Sequence, residues 1–242
     1  MYFLVSPSRY YTLPIVGAAA WFLTLSVLLI YWLAEGRPVY PSQVNPYIPF
    51  ISDIGAYRLK AFFITGSIVT AIAYAGTIFA AHHVRSDPHM YGIRDPPWKR
   101  VFSVLALVAG LVASVGCVGL ATFDTRRASE VHGPMLFMTF LGIAVSATCT
   151  EVVYSDQMRR SSKYGELRKY CLISLGIFLA EVVLSVGFLE CLWTKHEKVG
   201  GILEWVVAFV GSLYILAFAG LVSLPDKRKI ASSERQPLLG GI

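Results

Sequence analysis

Six long apolar runs separated by short polar stretches make up the hydrophobic pattern of this chain. Each run is long enough to cross a bilayer as an α-helix, which needs roughly 20 mostly apolar residues. The runs do not alternate polar and apolar positions, as the strands of a membrane barrel would. The pattern therefore predicts an all-α polytopic membrane protein with six transmembrane helices. Their expected bounds are Leu13–Ala34, Leu59–Ala81, Val101–Phe123, Gly133–Tyr154, Cys171–Trp193 and Ile202–Leu224.

The six runs leave little sequence for a globular domain. We expect one transmembrane domain over residues 13–224, an N-terminal tail over 1–12 and a C-terminal tail over 225–242. A structured loop over residues 35–58 joins the first two helices. The composition agrees with this organisation, since 55% of the residues are hydrophobic and only 15% are charged, against about 25% charged residues in soluble domains.

The distribution of Lys and Arg predicts how the helices cross the membrane. If the N-terminus is cytosolic, fourteen of the 21 basic residues fall on the cytosolic side and seven on the other. Cytosolic loops carry the excess of basic residues, so both tails are expected in the cytosol. These bases are either simple topology determinants or a phosphoinositide-binding patch beside anionic lipids. A nucleic-acid partner is not expected, because it would need the bases on one folded face.

The loop between the first two helices, Val39–Tyr57, is too polar to span a membrane and too apolar for an ordinary linker. Its prolines, Pro41, Pro46 and Pro49, are expected to keep it extended or turned and to prevent a helix. Asp53 is its one acid and lies in otherwise uncharged surroundings. We expect this loop to be luminal and to close over the helix bundle as a lid, with Asp53 pointing inward.

Three stretches of the sequence are similar to a known family of membrane proteins. They are "QVNPYIPFISDIG" in the loop, "TFDTRRASEVHGPMLFMTFLG" around the start of the fourth helix, and "LEWVVAFVGSLYILAF" in the sixth helix. These stretches resemble the DRAM family, the damage-regulated autophagy modulators, which includes the fungal suppressor-of-four-kinase membrane protein and the GPI-lipid remodelling factors related to it. The loop motif of this resemblance comprises Asn45, Pro46, Pro49, Ser52, Asp53 and Gly55.

The resemblance covers nearly the whole chain, with one local difference. Family members usually continue the loop motif with a Pro-Pro-Glu step, whereas here Gly55 is followed by "AYRLK". The resemblance implies an integral membrane regulator of autophagy, phosphoinositide-kinase signalling or membrane lipid organisation. We interpret it as a lipid-binding scaffold without turnover. The alternatives are a lipid-remodelling enzyme of the GPI-lipid type and a transporter of lipid or small solutes.

Ionisable residues at the luminal ends of the helices form the main candidate site. They are Asp53, Asp124, His132, Glu190 and Glu204. They form either a ligand-binding cluster or a set of structural hydrogen bonds. His132, at the luminal start of the fourth predicted helix, either makes a local hydrogen bond or pairs with Asp53 or Asp124. Backbone N–H groups at a helix start are the other expected partners of Asp53.

Glu181 is a separate candidate, because it lies near the middle of the fifth predicted helix. An ionisable side chain at the bilayer midplane is costly unless it is paired or faces a cavity. Glu181 is therefore either a protonated or hydrogen-bonded packing residue or part of a lipid- or proton-linked site.

No catalytic residue, metal site or cofactor is expected. A zinc hydrolase would need about three protein ligands and an activated water, yet only His132 and His196 of the five histidines fall on the luminal side. An acid/base site built from the luminal carboxylates is the remaining enzymatic alternative. Cys117 and Cys191 lie in the same half of the membrane, but their spacing does not decide whether they pair.

The C-terminal tail contains "SSERQPLLGGI", in which Glu234, Leu238 and Leu239 have the form of an acidic dileucine sorting signal. The alternative is a chance match. With the resemblance, this signal predicts a vacuolar or lysosomal membrane, or else the plasma membrane. The expected partners are membrane lipids, such as a sterol or an anionic phospholipid, and a cytosolic adaptor or kinase-complex protein.

The charge distribution predicts the accessibility of single engineered thiols on a cysteine-free background. Ser42→Cys should react with a membrane-impermeant maleimide applied from outside, because residues 35–58 are expected on the luminal side. Ser232→Cys should react only after the membrane is permeabilised. The reverse pattern of labelling would invert the predicted orientation.

Overall fold

The computed structural model describes residues 9–41, 43, 45–86, 93–159 and 165–223. Within these residues six helices are long and apolar enough to cross a membrane, which confirms the predicted all-α fold with six spans. A seventh, short helix lies in the loop between the first two spans. The bounds are α1 Thr12–Ala34, α2 Ile51–Gly55, α3 Lys60–Ser86, α4 Pro97–Thr122, α5 Ser129–Arg159, α6 Gly165–Trp193 and α7 Glu197–Val222.

The observed spans extend beyond the apolar runs that predicted them. The largest extension is at the start of α6, followed by those at the end of α3, the end of α5 and the start of α7. Hydropathy marks the part of a helix that must avoid water, but backbone hydrogen bonding continues wherever the next residues can adopt helical dihedrals. At the start of α4, Pro97 occupies the first helical position, where the missing N–H of proline costs nothing.

The short helix α2 corrects the expectation that the prolines would prevent any helix in the loop. The helix begins two residues after Pro49, the last proline, so none of its own residues lacks an N–H group. The Asp53 carboxylate accepts a hydrogen bond from the backbone N–H of Phe50, at a distance of 3.0 Å. This contact satisfies a donor at the start of the helix that would otherwise have no partner.

The six spans form a ring in which each helix packs mainly on two neighbours. Helix α1 lies between α3 and α7, α4 lies between α3 and α5, and α6 packs along α7. The contact between α5 and α6 closes the ring and is the least extensive of these six. We name the two ends of the ring by their loops: the lid end carries residues 35–58, and the tail end carries the start of α1 and the end of α7.

A compact apolar core lies at the lid end. Ile51 and Ile54 of α2 pack there with Leu28 of α1, Phe63 of α3 and Trp205 of α7, all of which are buried. The short helix thus contributes apolar side chains to the bundle. This packing fixes the loop on the ends of three spans.

Helices α4 and α5 are the most closely packed pair, and glycine makes their approach possible. A Cβ atom at Gly142 would lie only 2.7 Å from the backbone nitrogen of Ala113. A Cβ atom at Gly116 would lie 2.7 Å from the hydroxyl oxygen of Thr139. Small residues at such contacts allow membrane helices to gain van der Waals packing.

Gly142→Ala should therefore destabilise the protein by about 1–3 kcal/mol, because the added methyl meets backbone that cannot move alone. The matched control is Gly133→Ala on the same helix, where a Cβ atom would meet nothing within 4 Å. The control should be neutral or slightly stabilising. Thermal unfolding in detergent tests the pair, and equal melting temperatures would contradict the packing argument.

Candidate functional site at the lid

The lid, residues 35–58, brings its polar motif residues inward. Asp53 is only 2% exposed, and its side chain accepts the hydrogen bond from Phe50 N–H described above. Burial raises the pKa of Asp53 from its usual 3.8 to about 6, although the hydrogen bond from Phe50 N–H opposes that rise. Asp53 is therefore a buried carboxyl that binds a proton more readily than an exposed one.

Two consecutive residues of α7 hold the lid at its centre. The Glu204 carboxylate accepts a hydrogen bond from Ile51 N–H at 3.0 Å, and the Trp205 indole N–H donates to the carbonyl of Pro49 at 3.1 Å. Glu204 also lies near enough to Asp53 for the two carboxyls to repel when both are ionised. We call this pair of α7 side chains the lid clamp.

Asn45 adds a third attachment to α7. Its side chain is fully buried, and its Nδ2 donates to the carbonyl of Glu197 at 2.6 Å. Its Oδ1 accepts from the backbone N–H groups of Tyr47 and Ile48, which turns the chain after Asn45. A Cβ atom at Gly201 would lie 2.2 Å from Nδ2, so a glycine there is what allows the asparagine to reach α7.

The remaining motif residues have different environments. Pro49 is buried, whereas Pro46 is exposed. Ser52 is buried, and Gly55 lies against α3 so closely that a Cβ atom there would meet the Phe63 ring at 2.4 Å. The motif thus combines residues that attach the lid with residues that let it pack flat.

Asp124 belongs to a separate arrangement on the loop after α4. Its carboxylate forms an ion pair with Lys60 at the start of α3 and accepts hydrogen bonds from the N–H groups of Arg126 and Arg127. Burial acts to raise the pKa of Asp124, but these hydrogen bonds and the Lys60 charge outweigh it and hold the pKa below its usual value. Asp124 is thus an ionised carboxylate that joins the loop after α4 to the start of α3.

His132 makes the local contact that was one of its two expected roles. Its Nδ1 lies 2.8 Å from the carbonyl oxygen of Phe123, at the end of α4. It is not paired with Asp53 or Asp124, because the end of the neighbouring helix lies closer. Glu190 is exposed near the end of α6 and does not join the buried carboxyls. The five predicted residues therefore form three separate arrangements and one exposed position.

In the sequence, the charged residues at the tail end were interpreted as topology determinants or as a phosphoinositide-binding patch, yet two of them are buried. The Arg85 guanidinium donates to both carboxylate oxygens of Asp95 at 2.7 Å and to Gln157 at 2.6 Å. The Lys99 ammonium lies 2.9 Å from the Asp156 carboxylate. In the sequence, the acids near these bases could have indicated ion pairs, but they do not indicate that Arg85 and Lys99 are buried.

The remaining predicted residues are Glu181, the two cysteines and the sorting signal. Glu181 lies inside α6 and is half-buried, and its Oε1 has no hydrogen-bond partner. Cys117 and Cys191 are free thiols. The sorting-signal residues Glu234, Leu238 and Leu239 lie outside the described residues. Within the described part of the chain, no group of three His, Cys, Asp or Glu side chains could hold a metal ion.

The raised pKa of Asp53 predicts a pH dependence that Asp53→Asn should remove. The folded protein keeps the proton over the interval from 3.8 to about 6 in which the unfolded chain loses it. The contribution of Asp53 to the free energy of unfolding is therefore complete below pH 3.8 and is lost as the pH rises through about 6. Asparagine keeps the acceptor for Phe50 N–H without titrating.

Melting temperatures in detergent, measured across this interval, test the prediction. The wild type should lose stability relative to Asp53→Asn as the pH rises, and the exposed control Glu190→Gln should follow the wild type. Parallel curves for the wild type and Asp53→Asn would show that the Asp53 carboxyl is not buried.

Comparison with known proteins places this arrangement in a family. The family model described as "Frag1/DRAM/Sfk1/Cwh43P N-terminal domain" matches residues 9–220. The chain is 26% identical to human DNA damage-regulated autophagy modulator protein 1 over 195 residues, which are 74% of this chain and 79% of that protein. It is 24% identical to the yeast protein SFK1 over 177 residues, 62% of this chain and 50% of that protein. No solved structure matches. The chain with its clamped lid thus belongs to the Frag1/DRAM/Sfk1/Cwh43 family of membrane proteins.

Proposed function

We propose that this protein is a membrane regulator that binds lipid and acts without turning over a substrate, in autophagy or in the control of a phosphoinositide kinase. Its relatives in human and mouse carry the name of autophagy modulators. The proposed role in the control of a phosphoinositide kinase is supported by the motif resemblance to the fungal kinase-suppressor protein. The lipid-binding mechanism rests on a groove in the outer surface of the bundle.

The groove runs between α1, α6 and α7 and encloses about 490 Å³, within the range of about 300–1,000 Å³ that is typical of small-molecule sites. Its walls are apolar side chains of the three spans: Ile15, Ile173, Ile177, Leu213, Leu216 and Ala217. Because these spans cross the hydrocarbon, the occupant supported by this lining is an acyl chain. This groove is the observation that carries the proposal.

The polar residues of the groove lie at one of its ends. Tyr11 precedes α1, Tyr170 lies near the start of α6 and Ser223 follows α7, so all three belong to the tail end. Tyrosine favours the membrane interface, where its ring is apolar and its hydroxyl is wet. A lipid would place its headgroup beside these residues and its acyl chain in the apolar groove.

The shape of the groove depends on a close contact between Tyr170 and Gly220. A Cβ atom at Gly220 would lie 2.1 Å from the Tyr170 ring. The ring therefore lies directly on the backbone of α7 and forms part of the wall. A glycine at this position sets the width of the groove at its polar end.

The lid supports a role without turnover. A general acid or base must reach a proton of the substrate, whereas the three buried carboxyls at the lid end already bind groups of the protein. Asp53 accepts from Phe50 N–H, Glu204 accepts from Ile51 N–H, and Asp124 is paired with Lys60. Their chemistry is that of attachment, which favours the scaffold over the lipid-remodelling enzyme.

Ala217→Phe tests the groove by filling it with a larger side chain. Lipid that remains bound through detergent purification is extracted and quantified by mass spectrometry. The variant should retain several-fold less lipid per protein than the wild type, because the ring occupies the acyl-chain volume. The matched control is Ala180→Phe on α6, since Ala180 is exposed and lies outside the groove lining.

Equal lipid retention in Ala217→Phe, Ala180→Phe and the wild type would contradict a lipid site in the groove. A lipid-derived product that accumulates in vesicles with the wild type and not with Glu204→Gln would favour the remodelling enzyme instead. Ala217→Phe, Ala180→Phe and Glu204→Gln are each first compared with the wild type by thermal unfolding, so that only folded proteins enter the measurement.

A further inference from the structure

Several buried polar atoms of the described helices have no hydrogen-bond partner, and four of them are considered together. They are the hydroxyl oxygens of Tyr74, Ser212 and Tyr214 and Oε1 of Glu181. Tyr74 is 6% exposed, and Ser212 and Tyr214 are each 3% exposed, so bulk water does not reach them. The hydrocarbon of a bilayer offers no hydrogen bonds either, which makes unpaired polar atoms there costly.

Three of these atoms, those of Tyr74, Glu181 and Tyr214, lie in one region inside the ring. The Tyr214 hydroxyl interacts electrostatically with Tyr74, Glu151 and Glu181. Glu181 Oε1 points at α7, since it lies 3.5 Å from where a Cβ atom of Gly211 would be. Four helices thus direct polar side chains to this region, with Tyr74 on α3, Glu151 on α5, Glu181 on α6 and Tyr214 on α7. We call these four residues the central polar site.

The site has more acceptors than donors. Its two carboxyl groups accept at both oxygens, and its two tyrosine hydroxyls can each accept as well as donate one hydrogen. Apart from these hydroxyls, the described residues supply one donor to Glu151, the Ser174 hydroxyl at 2.8 Å. Arg85, which lies farther toward the tail end, already donates to Asp95 and Gln157. A ligand that completes the site would therefore supply several N–H donors and a positive charge, which are the properties of a primary ammonium group.

Access to the site is from the side of the bundle. Helix α6 is the least buried of the spans, with 11% of its apolar window buried against 22–44% for the others. Its contact with α5 is the least extensive contact between neighbours in the ring. Glu181 is itself half-buried on α6, so one side chain connects the site with the lipid-facing surface. This route favours a ligand that arrives from the bilayer.

We propose that the central polar site binds the primary ammonium of a membrane lipid headgroup, which enters between α5 and α6. This inference goes beyond the function proposed above, because it adds a second lipid position that is separate from the groove between α1, α6 and α7. Glu151 lies nearer the tail end of α5 and meets the headgroup first. Glu181 and the tyrosine hydroxyls lie deeper and complete the donor–acceptor set.

The test uses two lipids that have the same acyl chains and phosphate but differ in the methylation of the headgroup nitrogen. The full chain is reconstituted in nanodiscs with equal amounts of dioleoyl phosphatidylethanolamine and dioleoyl phosphatidylcholine, and bound lipid is quantified by native mass spectrometry. The quaternary ammonium of choline has no N–H group. The wild type should retain the ethanolamine lipid about tenfold over the choline lipid, as loss of a charge-assisted hydrogen bond implies.

Glu181→Gln should bring this ratio close to one, because it removes the charge and keeps the shape of the side chain. Glu190→Gln, an exposed glutamate on the same helix, should leave the ratio at the wild-type value. Tyr214→Phe removes one hydroxyl that has no protein partner and should also lower the ratio. Soluble ethanolamine, added in excess, would lower the ratio only if the site takes the amine without its lipid.

Three results would overturn the inference. The first is a wild-type ratio near one with lipid still retained, which leaves the groove function standing and removes the ammonium site. The second is a ratio of ethanolamine lipid to choline lipid that stays at the wild-type value in both Glu181→Gln and Tyr214→Phe, together with a melting temperature of Tyr214→Phe above that of the wild type. The third is full competition by soluble ethanolamine, which assigns the site to a free amine. Loss of all lipid retention in the wild type would remove the proposed function as well.

Discussion

The attachment of the lid to α7 is the interaction on which the rest of the structure depends. A loop that packs on a transmembrane bundle needs protein partners for its buried backbone N–H and C=O groups, because water does not reach them there. Here α7 satisfies them: Glu204 accepts from Ile51 N–H and Trp205 donates to the Pro49 carbonyl. Once these bonds form, α2 can bury its two isoleucines against the ends of three spans.

The same helix connects the lid with the other candidate sites. Below the clamp, α7 carries Tyr214 of the central polar site, and its outer face carries Leu213 and Leu216 of the groove. A displacement of α7 would therefore change the lid, the central polar site and the groove together. This connection gives a membrane regulator a physical means to link its lid side to its tail side without any chemical step.

Much of the fold followed from the sequence, because the exclusion of water from hydrocarbon leaves a hydropathy signal about 20 residues long. The contacts of the lid left no such signal, since Ile51 and Glu204 are 153 positions apart and one hydrogen bond imposes no periodicity. Helix α2 escaped prediction because five residues carry too little pattern. Arg85 and Lys99 were assigned to loops as topology charges, and only the folded chain shows that both side chains are buried and paired with acids.

The clamp is tested most directly by amide hydrogen exchange at Ile51 in the full chain. If Glu204 holds the lid, the Ile51 N–H should exchange slowly in the wild type and in the exposed control Glu190→Ala. In Glu204→Ala it should exchange orders of magnitude faster, while amides in the middle of α4 remain protected. Fast exchange at Ile51 in the wild type, or unchanged protection in Glu204→Ala, would contradict the attachment of the lid to α7.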